Sequence, residues 1–232
     1  MIEAPPKLTI KKNLRRPTAE QVAAFKDMPT SFVVDAMNGI GALDPQIKPL
    51  GDGNQLGCTA VGPALTVDTG PGDLLALVAA LPSIEPGDIV MAAFGGYQGC
   101  AASGDRMAGL MRNNGAAGYV VDGPMRDLLG IREIGLPVWC TGINPNSPAG
   151  EGPGKVGLPI NMGGRQIETG DMIVADLDGV VVVPYAQIDA VIAQLVHIVK
   201  LEKSLDAEVA AGLKLFPGTE ELLAADNVLY ID

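Results

Sequence analysis

Short apolar segments alternate with segments of helical periodicity between residues 89 and 140, and this alternation constrains the fold most strongly. The segments IVMAAF, AAGYVVDG and PVWCTG are predicted strands, and GDRMAGLMRNNG and RDLLGIREIG are predicted helices. Strand–helix–strand repeats form parallel sheets, because each crossover helix returns the chain to the same end of the sheet. The sequence therefore predicts an α/β fold.

The segments on either side predict how the sheet is completed. Between residues 158 and 184, short β-prone runs are separated by glycine turns too short for helices, so they are expected to pair as hairpins in a mixed sheet. Apolar residues recur on one face from about 186 to 211, which predicts a long C-terminal helix followed by a tail. Residues 1–28 are interpreted as an N-terminal arm, and its basic run KLTIKKNLRRP as solvated. No linker divides the chain, so one domain over residues 1–232 is expected.

Composition excludes several classes of function. A formal net charge of -11 argues against a nucleic-acid partner, which needs a clustered basic surface. We expect no membrane partner either, because no apolar run approaches the roughly 18 residues of a membrane span. No secretory signal is visible in MIEAPPKLTIKK, and the 3 cysteines are scattered. These features predict a cytoplasmic protein.

Several catalytic chemistries lack the residues they need. His197 is the only histidine and lies within the predicted C-terminal helix, so neither a catalytic triad nor an ordinary zinc site is expected. The run GCAASGDR has glycine spacing like that of a phosphate loop, but Asp105 and Arg106 occupy the positions of the required Lys and Ser or Thr. No lysine lies between apolar strand residues, which disfavours a Schiff base.

The remaining candidates are Asp105, Arg126 and Asp127. Asp105 opens the helix after one predicted strand, and Arg126 and Asp127 open the helix after the next. If the two strands are neighbours, these side chains meet at the carboxyl edge of the sheet, where ligands bind in α/β folds. Free N–H groups in the first turn suit a ligand carboxylate; the residues that provide this turn are Gly104, Asp105, Arg106 and Met107.

The residue types indicate a chemistry. Two carboxylates without histidine or thiol favour Mg²⁺ or Mn²⁺, and a neighbouring arginine can bind a carboxylate or 2-keto oxygen. Together these groups could stabilise an enolate. A structural interpretation remains open from spacing alone, since an Asp at a helix start is often a cap and an Arg-Asp pair is often a surface ion pair.

With these residues identified, the chain resembles the RraA-like family, which includes class II pyruvate aldolases acting on 4-hydroxy-4-methyl-2-oxoglutarate and 4-carboxy-4-hydroxy-2-oxoadipate. The family motif is an Asp, twenty intervening residues and then Arg-Asp, as at Asp105, Arg126 and Asp127. The segments VGPALTVD, GPGKVGLPI and GDMIVADLDGVVVVP also match.

The resemblance implies a role for each residue. Asp127 would ligate Mg²⁺ or Mn²⁺, Asp105 would orient water for proton transfer, and Arg126 would bind the pyruvyl oxygens and stabilise the enolate. Main-chain groups of residues 104–107 would hold the substrate carboxylate. The implied reactions are retro-aldol cleavage of a 4-hydroxy-2-keto acid to pyruvate and decarboxylation of oxaloacetate. The alternative is a non-catalytic regulator that binds ribonuclease E.

The resemblance also implies an αββα sandwich with a swivelling-domain core, assembled as a homotrimer or hexamer with sites at subunit interfaces. The sequence departs from the aldolases at Gly130, where they commonly carry an acid, and at Leu74 and Val78, where Asn and His are common. These departures leave open which keto acid the site would accept.

Overall fold

The computed structural model describes residues 6–231. The strands are β1 (Leu8–Ile10), β2 (Lys48–Pro49), β3 (Ala60–Asp68), β4 (Ile89–Ala93), β5 (Gly118–Val121), β6 (Val138–Cys140), β7 (Gly154–Val156), β8 (Ile160–Met162), β9 (Arg165–Ile167), β10 (Met172–Ala175) and β11 (Val180–Val183). The helices are α1 (Ala19–Ala24), α2 (Thr30–Ala36), α3 (Leu75–Ala80), α4 (Asp105–Asn113), α5 (Leu128–Ile134), α6 (Ile188–Ala210) and α7 (Thr219–Leu223).

A mixed sheet organises the fold, with strand order β1-β7-β3-β4-β5-β6-β2 and with β10 and β11 joined to β3. The strands β3, β4, β5 and β6 run parallel to one another, whereas β3 pairs antiparallel with β7 and β10, and β6 with β2. The pairs β8–β9 and β10–β11 are antiparallel, as expected for hairpins. The structure thus confirms the predicted α/β fold with a mixed sheet.

The two faces of the parallel strands are covered differently. Leu65 and Tyr119 point into a core shared with α3, α4 and α5, whereas Met91 and Trp139 point into a core shared with β8–β11. Helix α2 contacts β10 and β11. The resulting order of layers, helix, sheet, strands and helix, is the αββα arrangement that the resemblance implied. Because successive strand residues face opposite layers, both layers require apolar side chains and the strands are apolar throughout.

The basic N-terminal segment was expected to be solvated: Lys7, Lys11 and Lys12 are exposed, whereas Arg16 is partly buried. β1 pairs in parallel with β7, from Leu8 opposite Gly154 to Ile10 opposite Val156. Arg16 forms an ion pair with the buried Asp88, with Nη2 2.7 Å from Oδ2. Arg16 is therefore neutralised by an acid that lies far away in sequence, which the local pattern could not reveal.

The chain divides after Leu195 into two compact units, and α6 continues across the division. The first unit contains the sheet and both cores. In the second, no residue from 196 to 231 is buried, and large exposed apolar side chains include Val196, Phe216 and Leu229. The expectation of a single domain stays a prediction. Among the helices of residues 6–231, none has both the length and the hydropathy of a membrane span.

Candidate active site

Hydrogen bonds between main-chain groups join the segments that follow β4, β5 and β6. The N–H of Arg126 donates to the carbonyl of Ser103 at 3.1 Å, and the N–H of Asn144 donates to the carbonyl of Met125 at 2.9 Å. Ser103, Met125 and Ile143 form parallel bridges that extend the sheet beyond its strands. These bridges hold the start of α4 beside the start of α5, which is the convergence that the sequence predicted.

Helix α4 begins at Asp105, and Gly104 precedes it without any side-chain cap. A Cβ at Gly104 would overlap Asp127 Oδ2 and lie 3.0 Å from Arg126 Cγ, so only glycine lets these segments approach so closely. The N–H of Arg106 is already used, because it donates to Asp105 Oδ1 at 2.6 Å. The predicted main-chain cradle is therefore partly filled by a carboxylate of the protein itself.

Asp127 precedes α5 in the left-handed conformation, with φ 60° and ψ 45°. Such residues are uncommon outside glycine and cluster at functional sites, although Asp and Asn tolerate this region better than most. The Asp127 side chain is 47% exposed, and its Oδ2 lies 3.3 Å from Arg126 Nε. The carboxylate is thus accessible to a ligand and close to the guanidinium.

Arg126 is held by a residue that the sequence analysis did not identify. Its Nη1 donates to Ser147 Oγ at 2.6 Å. Within residues 6–231, Nε is buried and has no hydrogen-bond partner. Ser147 lies between two prolines in the segment after β6, and its position at the same sheet edge was the available signal.

Asp105 packs against Gly130 of α5. A Cβ added at Gly130 would overlap Asp105 Oδ2 and would lie 2.8 Å from Asp105 Cβ. The sequence analysis treated Gly130 as a missing acid. In the structure, the space for a side chain at this position is occupied by the carboxylate of Asp105.

Asp105, Arg126 and Asp127 line one cavity of about 570 Å³. Its walls are Leu74, Ser103, Gly104, Asp105, Arg106, Met107, Leu110, Arg126, Asp127, Ile143, Pro145 and Pro148. All the predicted site residues are therefore brought together, and Leu74 adds an apolar wall. Val78 is 45% exposed and does not line this cavity.

A larger cavity of about 970 Å³ lies beside α1. Its lining is mostly small and apolar, and Arg16 there is already paired with Glu85 and Asp88. We therefore place the candidate site at the smaller cavity, on the basis of its chemistry rather than its size.

Two buried acids stabilise the loops around the site. Burial alone would raise the pKa of Asp73, but bonds from the N–H groups of Leu75, Glu151 and Gly152 outweigh it and lower the pKa below its usual value. Burial raises the pKa of Asp122, although its carboxylate accepts N–H groups from the loop after β4. Asp122 thus stabilises the turn that follows β4.

The donor atoms of the site fit a hard cation. In residues 6–231 no group of at least 3 His, Cys, Asp or Glu side chains could enclose a metal, so any ion would be held by few protein ligands. Mg²⁺ is commonly bound by one or two carboxylates and keeps several waters. Asp105 and Asp127 are the two carboxylates that line the cavity.

Comparison with known proteins places the chain in a family. The model of the RraA-like family, described as Aldolase/RraA, matches residues 30–182. The chain belongs to the RraA-like family. Over 166 residues it is 37% identical to a Halalkalibacterium halodurans protein named "Putative 4-hydroxy-4-methyl-2-oxoglutarate aldolase", covering 72% of this chain and 77% of that protein.

Solved RraA structures share the RraA-like fold of this chain. Streptomyces coelicolor RraAS2, described as an unusual member of the RNase ES inhibitor RraA family, superposes with a TM-score of 0.74 at 28% identity, covering 83% of this chain and 100% of that one. The RNA-processing inhibitor RraA from Thermus thermophilis gives a TM-score of 0.61 at 26% identity, covering 68% and 93%. The RraA-like resemblance seen in the sequence is confirmed.

Proposed function

We propose that this protein is a divalent-metal-dependent carbon–carbon lyase that forms a pyruvate enolate. Its reaction would be the retro-aldol cleavage of a 4-hydroxy-2-keto acid, the decarboxylation of oxaloacetate, or both. The meeting of Asp105, Arg126 and Asp127 in one cavity carries this proposal. The name of the Halalkalibacterium relative supports the aldolase reaction.

Each residue would have a distinct task. Asp127 would hold Mg²⁺ or Mn²⁺, which when bound would polarise the keto group of the substrate. Asp105 would orient water for proton transfer. Arg126 would bind the carboxylate and keto oxygens through charge-assisted hydrogen bonds. Main-chain N–H groups still free at the start of α4 would contribute to binding the same carboxylate.

The retro-aldol step would balance as follows. The 4-hydroxyl would lose its proton to a water oriented by Asp105. C4 would become the carbonyl carbon of the second product as the C3–C4 bond breaks, and the electron pair of that bond would enter the pyruvate enolate. The guanidinium of Arg126 stabilises the negative charge that develops on the enolate oxygen. A proton then returns to C3 and gives pyruvate. In oxaloacetate the same C3–C4 bond would break, C4 would leave as CO₂ without any hydroxyl deprotonation, and the electron pair would enter the same enolate.

The test is a panel of 2-keto acids, including 4-hydroxy-4-methyl-2-oxoglutarate and oxaloacetate, assayed for pyruvate with Mg²⁺, Mn²⁺ or EDTA. We expect activity that requires the metal. We expect Arg126→Ala to lower kcat/KM by an amount equivalent to the loss of about 3 kcal/mol of transition-state stabilisation, as for loss of an oxyanion donor. Asp35→Asn, at an exposed position of α2, is the control. Turnover that survives both EDTA and loss of the Asp127 carboxylate would contradict the metal role.

A regulatory function is the second candidate, and the similarity to RraAS2 favours it. The acidic charge of -11 would suit binding to a basic protein surface. We would measure binding to ribonuclease E and inhibition of RNA cleavage. Inhibition that persists in Arg126→Ala would assign it to a surface other than the cavity, whereas absence of binding would count against regulation.

A further inference from the structure

Arg126 makes few contacts for a residue proposed to bind substrate. Its side chain is 35% exposed, and Nη2 makes no hydrogen bond within residues 6–231. Nε lies 3.3 Å from Asp127 Oδ2 but does not form a hydrogen bond with it. The bond from Nη1 to Ser147 is therefore the one hydrogen bond that orients this guanidinium within the described chain.

The 143–152 loop that carries Ser147 is held in place at several points. The side chains of Asn144 and Asn146 donate to the carbonyls of Gln98 and Gly99, at 2.9 and 3.0 Å. Ala149 donates to the carbonyl of Gly72 at 2.7 Å. These bonds fix the loop against the segments that follow β3 and β4.

The local sequence of the loop also restricts it. Pro145 and Pro148 follow Asn144 and Ser147, and a residue before proline is confined to extended conformations. The backbone of Ser147 is therefore restricted to extended conformations. At the far end of the loop, Asp73 accepts the N–H groups of Glu151 and Gly152.

We propose that Ser147 is a positioning residue for Arg126. Its hydroxyl engages Nη1 and leaves Nη2 for the carboxylate or keto oxygen of the ligand. The proposal deepens the proposed lyase function and rests on it. The part of the loop that lines the cavity, at Ile143, Pro145 and Pro148, would then act with Ser147 to determine how the substrate is oriented.

The kinetic test compares Ser147→Ala with Ser147→Thr, using oxaloacetate and Mg²⁺. Loss of the hydroxyl is expected to lower kcat/KM about tenfold, as for one hydrogen bond to a charged group. The threonine variant keeps a hydroxyl and is expected to stay within about twofold of the native protein. Glu151→Ala, in the same loop, is the control and should leave kcat/KM unchanged.

A double-mutant cycle separates positioning from a general effect on the loop. In an Arg126→Lys background, which lacks the fork that Ser147 engages, Ser147→Ala should change kcat/KM less than about twofold. An undiminished tenfold effect in that background would overturn the proposal, because Ser147 would then act independently of the guanidinium.

Chemical modification tests the same contact without substrate or metal. Phenylglyoxal bridges the two Nη atoms of arginine, so release of Nη1 should accelerate labelling of Arg126. We expect several-fold faster labelling of Arg126 in Ser147→Ala but not in Glu151→Ala, measured by mass spectrometry against the exposed Arg112. Unchanged labelling would overturn the positioning role. A native protein without lyase activity would refute the proposed function, while the labelling would still report on the contact.

Discussion

At the scale of single residues, Asp127 combines an exposed carboxylate with a backbone conformation that few residues tolerate. Its φ of 60° lies in the left-handed region. Asn tolerates this region nearly as well as Asp, whereas Ala tolerates it poorly. The two substitutions therefore separate the effect of charge from that of backbone strain.

We expect Asp127→Asn and Asp127→Ala to lose metal-dependent pyruvate formation to a similar extent, about a hundredfold or more. Only the alanine variant should also lose about 1 kcal/mol of unfolding free energy, because it adds backbone strain. Urea unfolding at fixed protein concentration and the pyruvate assay give both quantities. Full activity in Asp127→Asn would exclude this carboxylate as a metal ligand.

Gly130 makes room for Asp105, and this predicts an unusual response to alanine. Alanine normally stabilises a helix by about 1 kcal/mol relative to glycine. At Gly130 the added Cβ would overlap the Asp105 side chain, so we expect no stabilisation and at least a tenfold loss of turnover.

Gly109 of α4 is the matched control for Gly130. A Cβ there would meet Ile134 Cδ1 at 3.4 Å, an ordinary contact. Gly109→Ala should therefore be neutral or stabilising and should keep its activity. Equal stabilisation by both alanines, with unchanged turnover, would show that Gly130 does not set the position of Asp105.

At the scale of secondary-structure elements, Asp73 joins the start of α3 to the 143–152 loop through three backbone N–H groups. We expect Asp73→Asn to lower the unfolding free energy by about 2 kcal/mol at neutral pH, as for lost hydrogen bonds to a charged acceptor. Asp52→Asn, which removes a carboxylate from an exposed turn, is the control and should cost less.

The pH dependence of the Asp73 contribution follows from its lowered pKa. A carboxylate with a depressed pKa in the folded protein stabilises fully above its unfolded pKa, about 3.9. That contribution is lost as the pH falls through the lower, folded pKa. The stability difference between native protein and Asp73→Asn should therefore shrink below about pH 4, and a constant difference down to pH 2 would contradict this assignment.

At the scale of the whole molecule, the 3 cysteines report on the integrity of the core. All are buried, and burial raises the pKa of Cys58, of Cys100 and, to about 11, of Cys140. Because the thiolate is the reactive form, we expect a disulfide reagent to react slowly with the native protein at pH 8 and to titrate 3 thiols after denaturation. A thiol that reacts fast in the native protein would show that the core opens locally.

We also propose that the chain assembles, as the family resemblance implied. Exposed apolar side chains such as Leu201, Leu222 and Ile231, at 64%, 66% and 85% exposure, would be covered in an oligomer. We expect sedimentation to give three or six times 23.9 kDa. A monomer at every concentration tested would contradict this expectation.

The sequence by itself determined the alternating strands and helices of residues 89–140 and the α/β class, and it selected Asp105, Arg126 and Asp127 as candidate residues. Hydrophobic periodicity reports directly on local structure, and parallel strands place their following turns at one edge of the sheet. Only the tertiary structure decided that β1 joins β7, that Asp105 occupies the space over Gly130 and that Ser147 holds Arg126. Each of these contacts joins segments distant along the chain, and it depends on how loops pack together rather than on any local pattern of residues.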